Sequence, residues 1–228
     1  MKKIAAVFFW ALMGSLLNLG AMLLVQDVLC LPLFMDTMFT AAFTFFGGLP
    51  CGIATAVVTH LVINPLMSTY LPNYLYSLCS VAVVLITAFF IRLFPEECSA
   101  GKGSRAWGNP RCGDSGIFDC IAVLFVLSLV MCVALSLLGG IISTILETFF
   151  TTLSAHDATI FIFRRILVRK FGGSWTGPAL LAVEVLCRVP VNILDRFISV
   201  FGGYGFARAL TTLTARIGHG EKTVKSND

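Results

Sequence analysis

The stretch from Gly177 to Leu210 constrains the fold most. It is long and apolar enough to cross a bilayer, yet it carries Glu184, Arg188, Asn192, Asp195 and Arg196. Each ionisable side chain at membrane depth costs roughly 2.5–3.5 kcal/mol on insertion scales, so several in one segment need a reason. At about 100° per residue, Glu184, Arg188, Asn192, Asp195 and Ser199 fall within one quarter of a helix surface. Such a polar stripe on a greasy helix must face other helices or a watery cavity, because lipid would not tolerate it.

Composition points the same way. The chain is 57% hydrophobic and 12% charged, about half the charged fraction of an ordinary soluble domain. Its formal charge of +4 is low, and no basic patch interleaves with aromatics, which argues against a nucleic-acid partner. None of the eight cysteines forms a CxxC pair, and most lie in apolar runs, where Cys behaves as a small hydrophobe. Cys98 and Cys112 flank a polar loop and pair only if that loop faces an oxidising compartment.

Lys2 and Lys3 followed by Ala5–Gly14 have the pattern of a secretory signal peptide. Hydrophobicity continues to Val25, however, so the segment reads as a retained first helix. Further apolar runs cover Pro32–Gly48, Leu49–Met67, Tyr74–Phe94, Ile117–Ile142 and Gly177–Leu210. The expected fold is therefore an all-α integral membrane protein, with six transmembrane helices in one bundle over 1–215 and a short polar cytoplasmic tail over 216–228. A tight turn at Gly47-Gly48-Leu49-Pro50 joins spans two and three.

Lys2, Lys3, Arg208, Arg216, Lys222 and Lys225 place both termini inside, as does the loop carrying Arg92, Lys102, Arg105 and Arg111. One segment breaks the pattern: Phe149–Trp175 should lie outside, yet it holds Arg164, Arg165, Arg169 and Lys170. It reads as an amphipathic helix on the bilayer or over the bundle, with a re-entrant span between helices 5 and 6 as the competing topology.

The candidate binding residues are Asp36, Thr40, His60, Asn64, Glu184, Arg188, Asn192 and Asp195. Asp36, Thr40 and Thr44 recur at four-residue steps and would share a face near the outer mouth of a cavity; Asp36 equally fits a helix N-cap. Gly52, Ala56, His60 and Asn64 line up on span three. A lone membrane His is more often hydrogen-bonded to a neighbouring helix than bound to a ligand. Glu184 and Arg188 stand four apart and fit either a self-neutralising pair or a substrate contact. Asp195 and Arg196 fit either the same stripe or an interfacial position after the kink expected at Pro190. Tyr70, Tyr74, Tyr76 and Trp175 suit either stacking on a flat heterocycle or an interface belt. On the first span, Ala11, Gly14 and Ser15 make a small-residue surface on which another helix can dock closely.

There is no HxxxH, HExxH or Cys/His cluster for a metal, no phosphate loop for ATP and no GxSxG elbow. No cofactor is expected and no enzyme activity. An intramembrane enzyme using Asp36, His60 or Asp195 is the weakest reading, since no motif pairs them.

Leu31-Pro32-Leu33-Phe34-Met35-Asp36-Thr37, running into a Gly-punctuated hairpin and Gly52-Ile53-Ala54-Thr55, resembles the start of the substrate-binding (S) components of energy-coupling factor vitamin transporters. Val189-Pro190-Val191-Asn192-Ile193-Leu194-Asp195-Arg196 is similar to the proline–acidic–basic segment that closes many of them. The resemblance implies a subunit of a bacterial cytoplasmic membrane that captures a vitamin-like small molecule at its outer face. It also implies a transmembrane coupling subunit and ATPase subunits as partners, docked through an AxxxA surface whose nearest match is Ala11 with Ser15. The same kind of module is similar to membrane sensor regions, so a sensor or assembly module that signals to a partner protein is the alternative.

Overall fold

The computed structural model describes residues 2–29, 31, 33–67, 71–98, 114–150 and 178–224. Among these residues it is helical almost throughout and contains no strand. The helices are α1 (Lys2–Leu23), α2 (Met38–Met67), α3 (Ser77–Leu93), the short α4 (Pro95–Cys98), α5 (Asp114–Phe150) and α6 (Pro178–Val224). A π-helical turn, Leu24–Val28, ends α1, and a 3-10 turn, Leu71–Tyr76, leads into α3. Four segments are long and apolar enough to cross a membrane: Ile4–Leu23, Met38–Leu61, Tyr74–Leu93 and Gly116–Leu146. Exposed Phe8, Phe9, Leu12 and Leu16 on α1, and Phe118, Phe125, Leu129 and Val133 on α5, form apolar outer faces suited to lipid.

The second of these segments is a hairpin. Gly48 adopts φ 75°, ψ −170° in the middle of α2, a conformation open to a residue without Cβ. The Asn18 amide donates to Thr40 Oγ1 (2.9 Å) and to Thr59 Oγ1 (3.2 Å), two residues that a straight helix would hold ~28 Å apart. A Cβ added to Gly52 would lie 3.1 Å from Thr44 Cβ, although eight helical residues span ~12 Å. The chain therefore doubles back at Gly48, where the sequence places its turn. The first half, Met38 to Gly47, is only ~15 Å long.

Contacts along the helices fix their directions. Trp10 packs on Phe46 near the Gly48 turn. At the same end Tyr204 of α6 packs on Phe45, and its hydroxyl donates to the Glu97 carbonyl (3.0 Å), which also accepts the Cys120 thiol (3.3 Å). At the opposite end Arg188 of α6 reaches Tyr76 before α3 and Ser143 on α5. Successive helical passages thus alternate in direction. The Lys2 end of α1, the start of α5 and the Arg208 region of α6 share one end of the molecule.

Lipid-like surroundings give helices little hydrophobic reason to associate, so close backbone approach carries more of the packing. A Cβ at Gly140 would fall 3.2 Å from the Val185 backbone nitrogen, and one at Gly203 would fall 2.9 Å from the Met38 carbonyl. These glycines set how near α6 sits to α5 and α2. Around them Phe43, Val83, Val84, Leu127, Met131 and Val200 are fully buried.

Three sequence expectations change here. Asp36 is not on the helix with Thr40 and Thr44, because α2 starts only at Met38. Thr40 and Thr44 turn inward instead: Thr40 accepts from Asn18, and the Thr44 hydroxyl donates to the Thr40 carbonyl (2.7 Å). Ala11, Gly14 and Ser15 face α2 within the chain, with the Ser15 hydroxyl donating to the Ala11 and Thr55 carbonyls. α6 stays helical into the polar tail, to Val224; extending a formed helix is cheap compared with nucleating one. The Phe149–Trp175 segment beyond the end of α5, Cys112, Tyr70 and Trp175 lie outside the described residues.

Candidate functional site

Between α1 and α2 the chain leaves helical geometry. Met35 has φ +46°, a left-handed conformation that costs a non-glycine residue of order 1–3 kcal/mol. Leu33, Met35 and Thr37 are nevertheless buried. Irregular backbone inside a membrane protein persists only where the protein satisfies its polar groups, and α6 does so here. Asp195 Oδ1 accepts the Met35 backbone N–H (3.1 Å), and Arg196 Nη1 donates to Thr37 Oγ1 (2.5 Å). Arg196 Nη2 also pairs with Asp195 Oδ2. Two consecutive residues of α6 thereby hold a strained strap that precedes α2.

Asn18 supports the same strap from α1. Its Oδ1 accepts the Phe39 N–H (2.9 Å), one of the donors that an α-helix start leaves without an internal partner. The sequence offered Asp36 for that capping role, whereas the structure uses a buried amide from a neighbouring helix. Asp36 Oδ1 is buried and has no hydrogen-bond partner among the described residues. Asp36 lies within electrostatic reach of Arg196, His60 and Asp195. The His60 ring contacts Ser80 Oγ through Nε2 at 2.6 Å, joining α2 to α3.

A second polar layer lies further along α6. Arg188 Nη2 donates to Ser143 Oγ (3.0 Å) and Tyr76 Oη (3.3 Å), and its guanidinium stands 5.8 Å from the Tyr76 ring centroid. Glu184 Oε2 is 4.0 Å from Arg188 Nη2. Asn192, between the two layers, donates from Nδ2 to Ser136 Oγ (2.9 Å).

The stripe read from the sequence is real as a buried surface. Glu184, Arg188, Asn192, Asp195, Arg196 and Ser199 are all between 0 and 6% exposed. Asp36, His60, Asp195 and Arg196 come together. Glu184 and Arg188 form the neighbouring layer, and Thr40 belongs to the Asn18 network. Asn64 lies on α2, with its side chain outside the described residues. Sequence reasoning missed Asn18, Ser80 and Ser143, and it offered Tyr76 for stacking on a ligand where the structure sets it against Arg188. Asn18 carried a usable signal: a lone amide in an apolar span needs partners as a charge does.

Chemically, the arrangement offers three carboxylates, two guanidiniums, an imidazole and several hydroxyls on rigid helices around one non-helical strap. No group of three or more metal-ligating side chains occurs among the described residues. The thiol of Cys98, in α4 at the other end, is buried and pushed up to about 12, chiefly by burial. Compared with known proteins, the chain matches no family model, no curated relative and no solved structure.

Proposed function

We propose that this chain is the substrate-capture subunit of an energy-coupling factor type importer, binding a vitamin or similar micronutrient. It sits in a bacterial cytoplasmic membrane and is powered by separate coupling and ATPase subunits. The observation that carries the reading is the strained strap Leu33–Thr37, held by Asp195 and Arg196 and including Asp36, whose Oδ1 is buried. Membrane transporters place substrate where helices are interrupted and polar backbone is exposed to a site. A purely structural bundle would have little use for backbone strain and four charged residues in its interior.

On this reading the chain crosses the membrane six times: α1, the strap together with the first half of α2, the second half of α2, α3, α5 and α6. Both termini are cytoplasmic, and substrate enters from the end that holds Tyr76 and Arg188. A coupling subunit would meet a surface other than Ala11, Gly14 and Ser15, which α2 already covers. The test is small-molecule mass spectrometry of the purified protein, followed by uptake with and without partner subunits. A co-purified micronutrient and partner-dependent uptake are expected. Purified protein without small molecule, and no uptake with any partner set, would sink the reading.

One observation favours the alternative, a membrane sensor or assembly module. α6 is 47 residues long, ~70 Å, against the ~30 Å of a bilayer core. A helix projecting that far is suited to transmitting a signal to a partner protein. Ligand-dependent recruitment of a signalling protein, without accumulation of ligand in cells, would decide for it.

A further inference from the structure

The polar layer holds an unequal number of opposite charges. Glu184 is answered by Arg188, and Asp195 by Arg196. Asp36 is the third carboxylate, and no third guanidinium or ammonium accompanies it among the described residues. The nearest fixed cation, Arg196, is already engaged by Asp195 and Thr37. His60 makes its Nε2 contact with the hydroxyl of Ser80. Asp36 Oδ1 is buried with no hydrogen-bond partner among the described residues, and so are Ser199 Oγ and Arg196 Nε. A carboxylate with one oxygen buried and orphaned, sharing its only nearby guanidinium with Asp195, is costly, and inside a membrane it marks a place where charge is accepted.

We infer that the site receives a ligand bearing a positive charge, a protonated amine or a cationic aromatic heterocycle, seated against Asp36; this rests on the capture reading above. A neutral ligand would leave the lone carboxylate uncompensated. An anionic ligand would add a second uncompensated charge. A cation closes the imbalance without disturbing the two existing ion pairs. Arg196 Nε, on a residue within electrostatic reach of Asp36, and Ser199 Oγ, about one turn further along α6, are further buried polar atoms without partners among the described residues.

Three flat probes of similar size and different charge test this on the full chain in lipid nanodiscs: 1-methylnicotinamide, nicotinamide and nicotinate. Thermal unfolding is followed with each at saturating concentration. The cation is expected to raise Tm by several degrees, as a ligand selective for the native state does, and the neutral and anionic probes to leave it nearly unchanged. Asp36→Asn should raise the Tm of the ligand-free protein, by removing a lone buried charge, and abolish the cation response. Should Asp36→Asn fail to insert, Asp36→Glu keeps the charge but moves it, and should weaken the cation's apparent affinity by about tenfold or more, a loss of roughly 1.4 kcal/mol. Equal response to all three probes (none included), a larger response to nicotinate, or a cation response unchanged in the variant overturns the inference. A neutral or anionic molecule co-purifying with the wild-type chain overturns the cationic class and leaves capture standing. A cation response without uptake in the presence of partners does the reverse.

Discussion

Asn18 gives its carbonyl to the Phe39 N–H and its amide to two threonine hydroxyls, so one side chain ties α1 to both halves of α2. A lone amide in an apolar span signals that partners exist but not which, because they are supplied by residues more than twenty positions away. Asp36 was legible as a polar residue at a helix start, and its orphaned Oδ1 was not, since that depends on Asn18 having taken the capping role. Cys98 shows the same dependence on surroundings. It flanks a polar loop in the sequence, whereas in the fold it is fully buried at the end of α4. Burial pushes the thiol from the ordinary 9.0 to about 12, and the thiolate is the reactive form. At pH 8 its thiolate fraction is then roughly a thousandfold below that of an unperturbed cysteine. A maleimide should label Cys98 slowly from either side of the membrane, at a rate that rises about tenfold per pH unit through pH 9 without the levelling off of an ordinary thiol. Fast labelling of a variant retaining only Cys98 would show that α4 opens.

At the scale of elements, the hairpin in α2 was readable because Gly47-Gly48-Leu49-Pro50 combines a residue free to take positive φ with a helix-disfavouring proline. The beginning of α2 was not readable, because the left-handed Met35 is held by Asp195 from the far end of the chain. The small-residue face of α1 was legible as a surface for close approach; which helix occupies it depends on the fold. The glycines of α5 and α6 make the same distinction testable. A side chain at Gly140 meets Val185 backbone at 3.2 Å, whereas one at Gly20 meets nothing within 4 Å. Gly140→Leu should therefore force α5 and α6 apart and cost about 1–3 kcal/mol, as overpacking does, with a fall in Tm. Gly20→Ala should be neutral or stabilise by up to about 1 kcal/mol through helix propensity. Equal Tm changes in the two variants would mean that the α5–α6 approach contributes nothing.

For the molecule as a whole, charge placement and packing describe one arrangement. Arg208, Glu97 and the start of α5 share one end, and the strap, His60, Asp195 and Arg188 lie towards the other. The stripe on α6 was legible because its 3.6-residue spacing is a property of the helix alone. Its division into two layers depends on where the strap and Tyr76 arrive. This division decides how Asp195 should respond to mutation. Asp195→Asn keeps an oxygen for Met35 but leaves Arg196 buried without its counter-charge. Removing one partner of a buried pair costs about 3–5 kcal/mol, which corresponds to a loss of roughly 10 °C or more in Tm for a chain of this size. Replacing both residues, as Asp195→Asn with Arg196→Met, removes the unpaired charge and should recover most of that loss, because the two positions are coupled. Ligand affinity separates the remaining alternatives. If the pair only holds the strap, the stable double variant should bind the co-purified ligand normally. If the pair also sets the field around Asp36, the double variant should remain stable and lose binding, and that second outcome is expected here. Melting temperature and ligand affinity measured on the same preparations distinguish them, and normal affinity in the double variant would reduce Asp195 and Arg196 to a structural clasp.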